Sequence, residues 1–301
     1  MNETTEKIQA IAARLLTEGK ADVFIAWETD REGFQVKPFL VRNAEEVKKI
    51  VFNEYCIHNL ANTLLKFKDE DNKIGLVVKG CDSRGVVRLL EDLQIKRERL
   101  YIVGVACPGM KDPLASARNQ SGFNKMMEAE GPAAKCLHCL QPNPVIYDEL
   151  IGAEQTPKLQ GERFANVKAI EEMDVDQRYH FFENTLSACI RCYACRQVCV
   201  ACNCRVCIFD EMKPQWVSRE INAVDNMMFH MVRASHMVGR CIECGECERV
   251  CPVNIPLMLI NQKLIKDVNN SFGPYEAGMQ YVEGAKPVLS NYDEKDPDNF
   301  L

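Results

Sequence analysis

Apolar positions change their period near the middle of the chain, and the change separates two halves of different character. Near the start, Ile8, Ile11, Ala12, Leu15 and Leu16 recur at helical spacing, and the strand-like segments ADVFIAW and KPFLVR follow. Asn43, with Glu46 three residues on, reads as a capping box that opens a helix. The sharpest pattern is KIGLVVKG, CDSRGVVRLLEDLQ and RLYIVGVAC, in which two short runs rich in β-branched residues flank a helical stripe of Val86, Leu89, Leu90 and Leu93. Strand, helix and strand in that order predict a βαβ unit and hence a parallel sheet. The segment Lys79–Gly85 falls where a helix follows a strand, a place suited to a flavin or nucleotide phosphate. An ordinary turn capped by Asp82 or Ser83 is the commoner meaning of such a segment.

From Asp176 the pattern turns helical. One helix is expected to bury Val217, Ile221, Val224, Met228 and Val232 and to end at Gly239. Another should open at Pro256 and bury Leu257, Ile260, Leu264 and Val268. The expected organisation is an α/β domain with a parallel sheet over 1–145, a connector over 146–185, a mainly α-helical domain over 186–273 and an acidic tail over 274–301. That tail reads as disordered or draped over a partner.

A 301-residue chain that is 47% hydrophobic and 27% charged can bury real cores. Its formal net charge of −6, without a Lys/Arg cluster, argues against nucleic acid as a partner. No apolar run approaches the roughly 18 residues of a membrane helix, and the start lacks a secretory signal. No membrane insertion and a cytoplasmic location are therefore expected. No Ser/His/Asp pattern or paired-carboxylate motif supports hydrolysis.

The sixteen cysteines change the picture. In a chain of this size without a signal they point to metal ligation and not to a disulfide framework. Cys189-x2-Cys192-x2-Cys195-x3-Cys199 and Cys241-x2-Cys244-x2-Cys247-x3-Cys251-Pro252 are two copies of the ferredoxin ligand run. In such runs three thiolates wrap one cubane and the fourth reaches the other cluster. Cys189, Cys192 and Cys195 with Cys251 are thus expected at one 4Fe-4S cluster, and Cys241, Cys244 and Cys247 with Cys199 at the second. Structural zinc is the competing use of CxxC pairs. Val200 stands where the first run would have proline, and Cys202, Cys204 and Cys207 follow; this extra run reads as an alternative fourth ligand, with Cys199 ahead of Cys202, as help in binding a further metal, or as reduced structural thiols.

In the first half, Cys81 and Cys107 sit at the C-terminal ends of the two predicted parallel strands, where open α/β sheets form their sites. With Cys136 and Cys139 they make four thiols, the number a third cubane needs; zinc and inert or redox thiols are the other readings. Cys56 reads as a buried free thiol in a helix. His58, His138, His180, His230 and His236 read as structural or solvated, although His138 and His236 lie close enough in sequence to candidate ligands to donate hydrogen bonds to a cluster.

The 41 residues between Cys199 and Cys241 resemble the helical dicluster ferredoxins of succinate dehydrogenase and heterodisulfide reductase subunits. The segments VVKGCDSRGVVRLL, YIVGVACPG, KCLHC, CIRCYACRQVC and RASHMVGRCIECGECERVCP together are similar to iron-sulfur proteins of the deazaflavin-dependent hydrogenase and formate dehydrogenase beta-subunit family, in the branch found with heterodisulfide-reductase-type complexes of anaerobes. The resemblance covers roughly residues 70–260. It implies an electron-transfer subunit, more than a complete enzyme, that works among other redox subunits of a hetero-oligomeric oxidoreductase. Some members bind FAD and reduce a deazaflavin, so the alternative is an FAD-containing oxidoreductase that itself acts on a reduced nicotinamide or deazaflavin. Here, however, the cysteine runs follow the α/β domain, whereas deazaflavin-reducing members carry one near the start, and there is no GxGxxG fingerprint.

Overall fold

The computed structural model describes residues 2–30, 35–112, 131–157, 161–284 and 288–289. The chain divides into two compact units, Met1–Gln160 with Gly278–Glu283, and Gly161–Ala277 with Gly284–Leu301.

The first unit is α/β with a mostly parallel sheet. Helix α1 (Glu3–Thr17) is capped by Asn2, whose side chain accepts from the Thr5 N–H at 2.8 Å, and it buries Ile8, Ala12 and Leu15. Strand β1 (Val23–Thr29) pairs antiparallel with β2 (Val36–Val41) and β3 (Ile50–Val51), and parallel with β4 (Ile74–Val78). β4 then pairs parallel with β5 (Leu100–Val105), and β5 with β6 (Glu149–Ile151). Every residue of β4 is buried, which explains its unbroken apolar sequence.

Two local expectations change. Asn43 does accept from the Glu46 N–H at 3.0 Å, but the segment it opens is a single 3-10 turn, Glu46–Lys49, because Ile50 is drawn at once into pairing with β1. Helix α2 spans Gly80–Glu91, so Lys79–Gly85 is the start of a helix and not a free loop. Asp82 turns back to accept the Lys79 N–H at 2.8 Å, which makes this the capped turn.

Past the short α3 (Ala134–Leu137), the second unit is helical: α4 (Ala165–Glu171), α5 (Val175–Ser187), α6 (Ala194–Gln197), α7 (Ala223–Ser235), α8 (Glu246–Arg249) and α9 (Leu257–Phe272). α7 packs on α5 and α9, while α6 packs on α8. Helix α9 follows Pro256 and buries Leu257, Ile260 and Val268 as expected, while Leu264 is half-buried against the same core. Helix α7 does not follow expectation. Val217 is buried and Ile221 63% exposed, but both precede it; Val224 and Met228 are 72% and 52% exposed, and only Val232 packs half-buried against the core as expected. The buried face carries Asn226, Phe229, His230, Arg233 and Ala234 instead. The helical period is right and its phase is wrong, because polar groups on this face bind the backbone of the cysteine runs. The expected acidic tail falls mainly on residues 285–287 and 290–301, outside the described ones.

Candidate metal centres

The two cysteine runs of the second unit turn in the same way. Tyr193 (φ +59°) and Gly245 (φ +69°) are left-handed immediately before α6 and α8, and Arg191 (φ +54°) and Glu243 (φ +55°) are left-handed two residues earlier. Two reversals so close together turn the chain tightly enough for three thiols to share one side. Glycine takes this conformation freely, whereas Tyr193 needs its surroundings to hold it.

Cys189 and Cys195 lie within electrostatic reach of each other and of both Cys192 and Cys251. Cys199, Cys241, Cys244 and Cys247 line one cavity, walled by Met237, Met258 and Ile242 with Arg233 and Asn261. The fourth cysteine of each run therefore stands with the first three of the other. Cys202 does not line the cavity; its thiol hydrogen-bonds to Cys199, and that bond favours the Cys199 thiolate. Among the described residues no three His, Cys, Asp or Glu side chains close on the single point one metal ion would occupy.

Backbone and amide donors point at these sulfurs. The N–H of Arg191 donates to Cys189 Sγ at 3.4 Å, that of Ile255 to Cys251 Sγ at 3.4 Å, and Asn261 Nδ2 to Cys247 Sγ at 3.6 Å. Such donors stabilise thiolate charge and tune a cluster. Burial pushes the thiols of Cys241 and Cys247 up to about 12. The buried face of α7 holds the first run in place: Asn226 Nδ2 donates to the Cys189 carbonyl at 2.9 Å, and its Oδ1 accepts from Arg191 Nε at 2.8 Å. Arg191 also stacks over Phe229 at 4.7 Å. One turn on, Arg233 Nη2 donates to the Cys195 carbonyl at 3.0 Å. His230 is buried with neither ring nitrogen hydrogen-bonded, and burial lowers it to about 4, so it is neutral. His138 and His236, the histidines expected near clusters, are exposed. Nothing in a single sequence separates Asn226, Arg191 and Arg233 from ordinary surface polar residues, and they went unpredicted.

In the first unit, Cys107 lies within electrostatic reach of Cys136 and Cys139, and Cys81 within reach of Cys107. Cys107 follows β5, Cys81 is in the first turn of α2, and Cys136 and Cys139 belong to α3 and the turn after it. Burial pushes Cys107 up to about 11 and raises Cys81 further. Lys79 and Lys135 act on Cys81, and Arg84 and Lys135 on Cys139, so cations surround the four thiols. Lys79 is itself buried, 2.8 Å from Asp82 and 4.0 Å from the Trp27 ring centroid. The loop after Cys139 is pressed onto α2: a Cβ on Gly80 would stand 1.9 Å from the Gln141 carbonyl oxygen. That close approach requires the glycine here. Cys56 lies in a turn and not in a helix; burial pushes it up to about 12, and it donates to the Val51 carbonyl at 3.7 Å.

The donor sets fit iron-sulfur clusters: four thiols each, N–H groups aimed at sulfur, sulfur-rich and apolar walls, and cations close by. A family model, the 4Fe-4S dicluster domain, matches residues 185–255, so the second unit carries an iron-sulfur dicluster module. Over 94% of its length the chain is similar to beta subunits of F420-dependent formate dehydrogenases. It is 21% identical to that of Methanocaldococcus jannaschii, covering 94% of this chain and 93% of the relative. To the beta subunit of formate dehydrogenase 1 of Methanococcus maripaludis it is 24% identical, with 94% and 92% covered. A chain of the F420-reducing nickel-iron hydrogenase complex of Methanosarcina barkeri matches at 19% identity and a TM-score of 0.29, over 40% of this chain and 47% of that one. No helix among the described residues is long and apolar enough to cross a membrane.

Proposed function

We propose that the chain is an iron-sulfur electron-transfer subunit of an oxidoreductase complex, with one 4Fe-4S cluster on Cys189, Cys192, Cys195 and Cys251 and a second on Cys199, Cys241, Cys244 and Cys247. The observation that carries this reading is the crossing of the two runs, each sending its fourth cysteine to the other's triplet. Bound clusters supply one-electron chemistry. The chain's own residues hold the sulfurs, direct N–H groups at them and keep water from the buried thiols. A third cluster on Cys81, Cys107, Cys136 and Cys139 is part of the proposal, supported by the convergence of these thiols amid Lys79, Lys135 and Arg84. So are donor and acceptor subunits docked on the chain, with a heterodisulfide-reductase-like, formate- or hydrogen-oxidising assembly of an anaerobe as the setting. Twelve cysteines serving as reduced ligands suit the cytoplasm, where thiols stay reduced.

Iron, sulfide and zinc analysis of anaerobically purified protein tests the reading. About eight to twelve irons per chain are expected, and zinc with little iron overturns it. Cys251→Ser and Cys199→Ser should each impair one cluster while Cys202→Ser leaves both. Cys81→Ser or Cys139→Ser should remove about four irons, and unchanged iron in both removes the third cluster. Subunits that co-elute on gentle anaerobic purification would name the partners.

One observation favours a second reading, in which the chain binds FAD and reacts directly with a deazaflavin or nicotinamide. A cleft of about 340 Å3 opens at the C-terminal ends of β5 and β6, lined by Val105, Pro108, Gly109, Met110, Gly152 and Asn53. Flavin retained through gel filtration, or diaphorase activity of the isolated chain, would place this reading first.

A further inference from the structure

Arg233 is 3% exposed, and its guanidinium reaches both thiol sets of the second unit. It donates to the carbonyl of Cys195, in the first set, and lines the cavity of Cys199, Cys241, Cys244 and Cys247, in the second. Its Nε has no hydrogen-bond partner, and among the described residues no carboxylate pairs with it. Of the neighbouring buried arginines, Arg249 pairs with Glu246 at 2.9 Å, while Arg191, whose Nη1 is likewise unpartnered, donates to Asn226 and two carbonyls. An isolated buried cation is costly, and the cost is met when opposite charge is brought beside it. Thiolate-ligated cubanes are anionic and gain a further negative charge on reduction. The thiols that feel the Arg233 charge come from both sets, Cys195 in one and Cys199 and Cys247 in the other.

We propose that Arg233 is a cation shared by the two cluster sites, which raises the reduction potential of both clusters. The inference rests on the dicluster reading. It makes Arg233 a positioning and tuning residue, not a catalytic one: it stabilises the reduced form of each cluster and so shifts both potentials in the same direction. No titration is involved, since a guanidinium stays charged.

The test is an EPR-monitored redox titration of the full chain and its Arg233→Gln and Arg233→Lys variants, each assayed for iron. In Arg233→Gln both clusters should become at least tenfold harder to reduce, about 59 mV each for one electron. Arg233→Lys, which keeps the charge, should hold both potentials within that tenfold. If Arg233→Gln loses its iron, Arg233→Lys decides alone: full iron with both potentials kept supports the shared cation, while lost iron or lowered potentials overturn it. A shift at one cluster only, or at neither, in an iron-loaded Arg233→Gln also overturns it. A wild-type chain without clusters would instead defeat the dicluster reading itself.

Discussion

Arg163 Nε donates to Glu243 Oε2 at 3.0 Å, tying a residue 80 positions upstream to the middle of the second cysteine run. The same guanidinium donates to Glu276 Oε2 at 2.8 Å, and Gln262 Nε2 donates to Glu243 Oε1 at 2.9 Å. Glu243 is left-handed between Cys241 and Cys244, so its carboxylate anchors the turn that carries two thiols. Arg163→Met should leave that carboxylate short of partners and lower stability by about 1–3 kcal/mol. Anaerobic urea unfolding should show a lower midpoint, with faster loss of iron to a chelator.

Asp82 holds the corresponding place in the first unit. It accepts the N–H groups of Lys79 at 2.8 Å and Leu60 at 2.7 Å, and pairs with the buried Lys79 ammonium. Asp82→Asn leaves that ammonium without a countercharge, held only by the His58 carbonyl and the Trp27 ring, and should cost about 3–5 kcal/mol, measurable in the unfolding of the first unit. A loss below about 1 kcal/mol would show that the pair is dispensable.

Gly80→Ala is expected to act at a distance. The new Cβ would collide with the Gln141 carbonyl, displacing the loop that follows Cys136 and Cys139. Iron should fall by about four atoms per chain while the two clusters of the second unit remain. Full iron content in this variant would detach Gly80 from the third site.

The iron-free chain should weaken as pH rises. Buried Cys241 and Cys247 stay protonated to about 12, whereas thiols in the unfolded chain ionise near 8.5. Above that lower value the unfolded chain holds fewer protons than the folded one, so unfolding becomes easier with each step of pH toward 12. Urea midpoints of iron-free protein should therefore decline between about pH 8.5 and 10.5. Loading with iron and sulfide must displace these protons, so reconstitution should release acid.

How far this could be read from the sequence depended on whether a feature is local. The βαβ unit was legible because β4 and β5 are buried on both faces and read as unbroken apolar runs. The dicluster module was legible because its thiols sit at fixed local spacing. Helix α7 was read at the right period and the wrong phase: its inward face serves the cysteine loops with Asn226 and Arg233, while Val224 and Met228 face outward. Composition alone assigns apolar residues to the core, and only the position of the sulfurs reverses that here. The cations around Cys81 and Cys139 were equally hidden, since Lys79, Arg84 and Lys135 meet only once the sheet has formed.

The most direct test of the electron-transfer assignment is the EPR spectrum of the anaerobically purified full chain after chemical reduction. Two neighbouring reduced cubanes in the second unit should give spin-coupled, broadened signals that integrate to about two spins per chain or more. A chain that contains zinc, shows no such signal on reduction and still folds would contradict it.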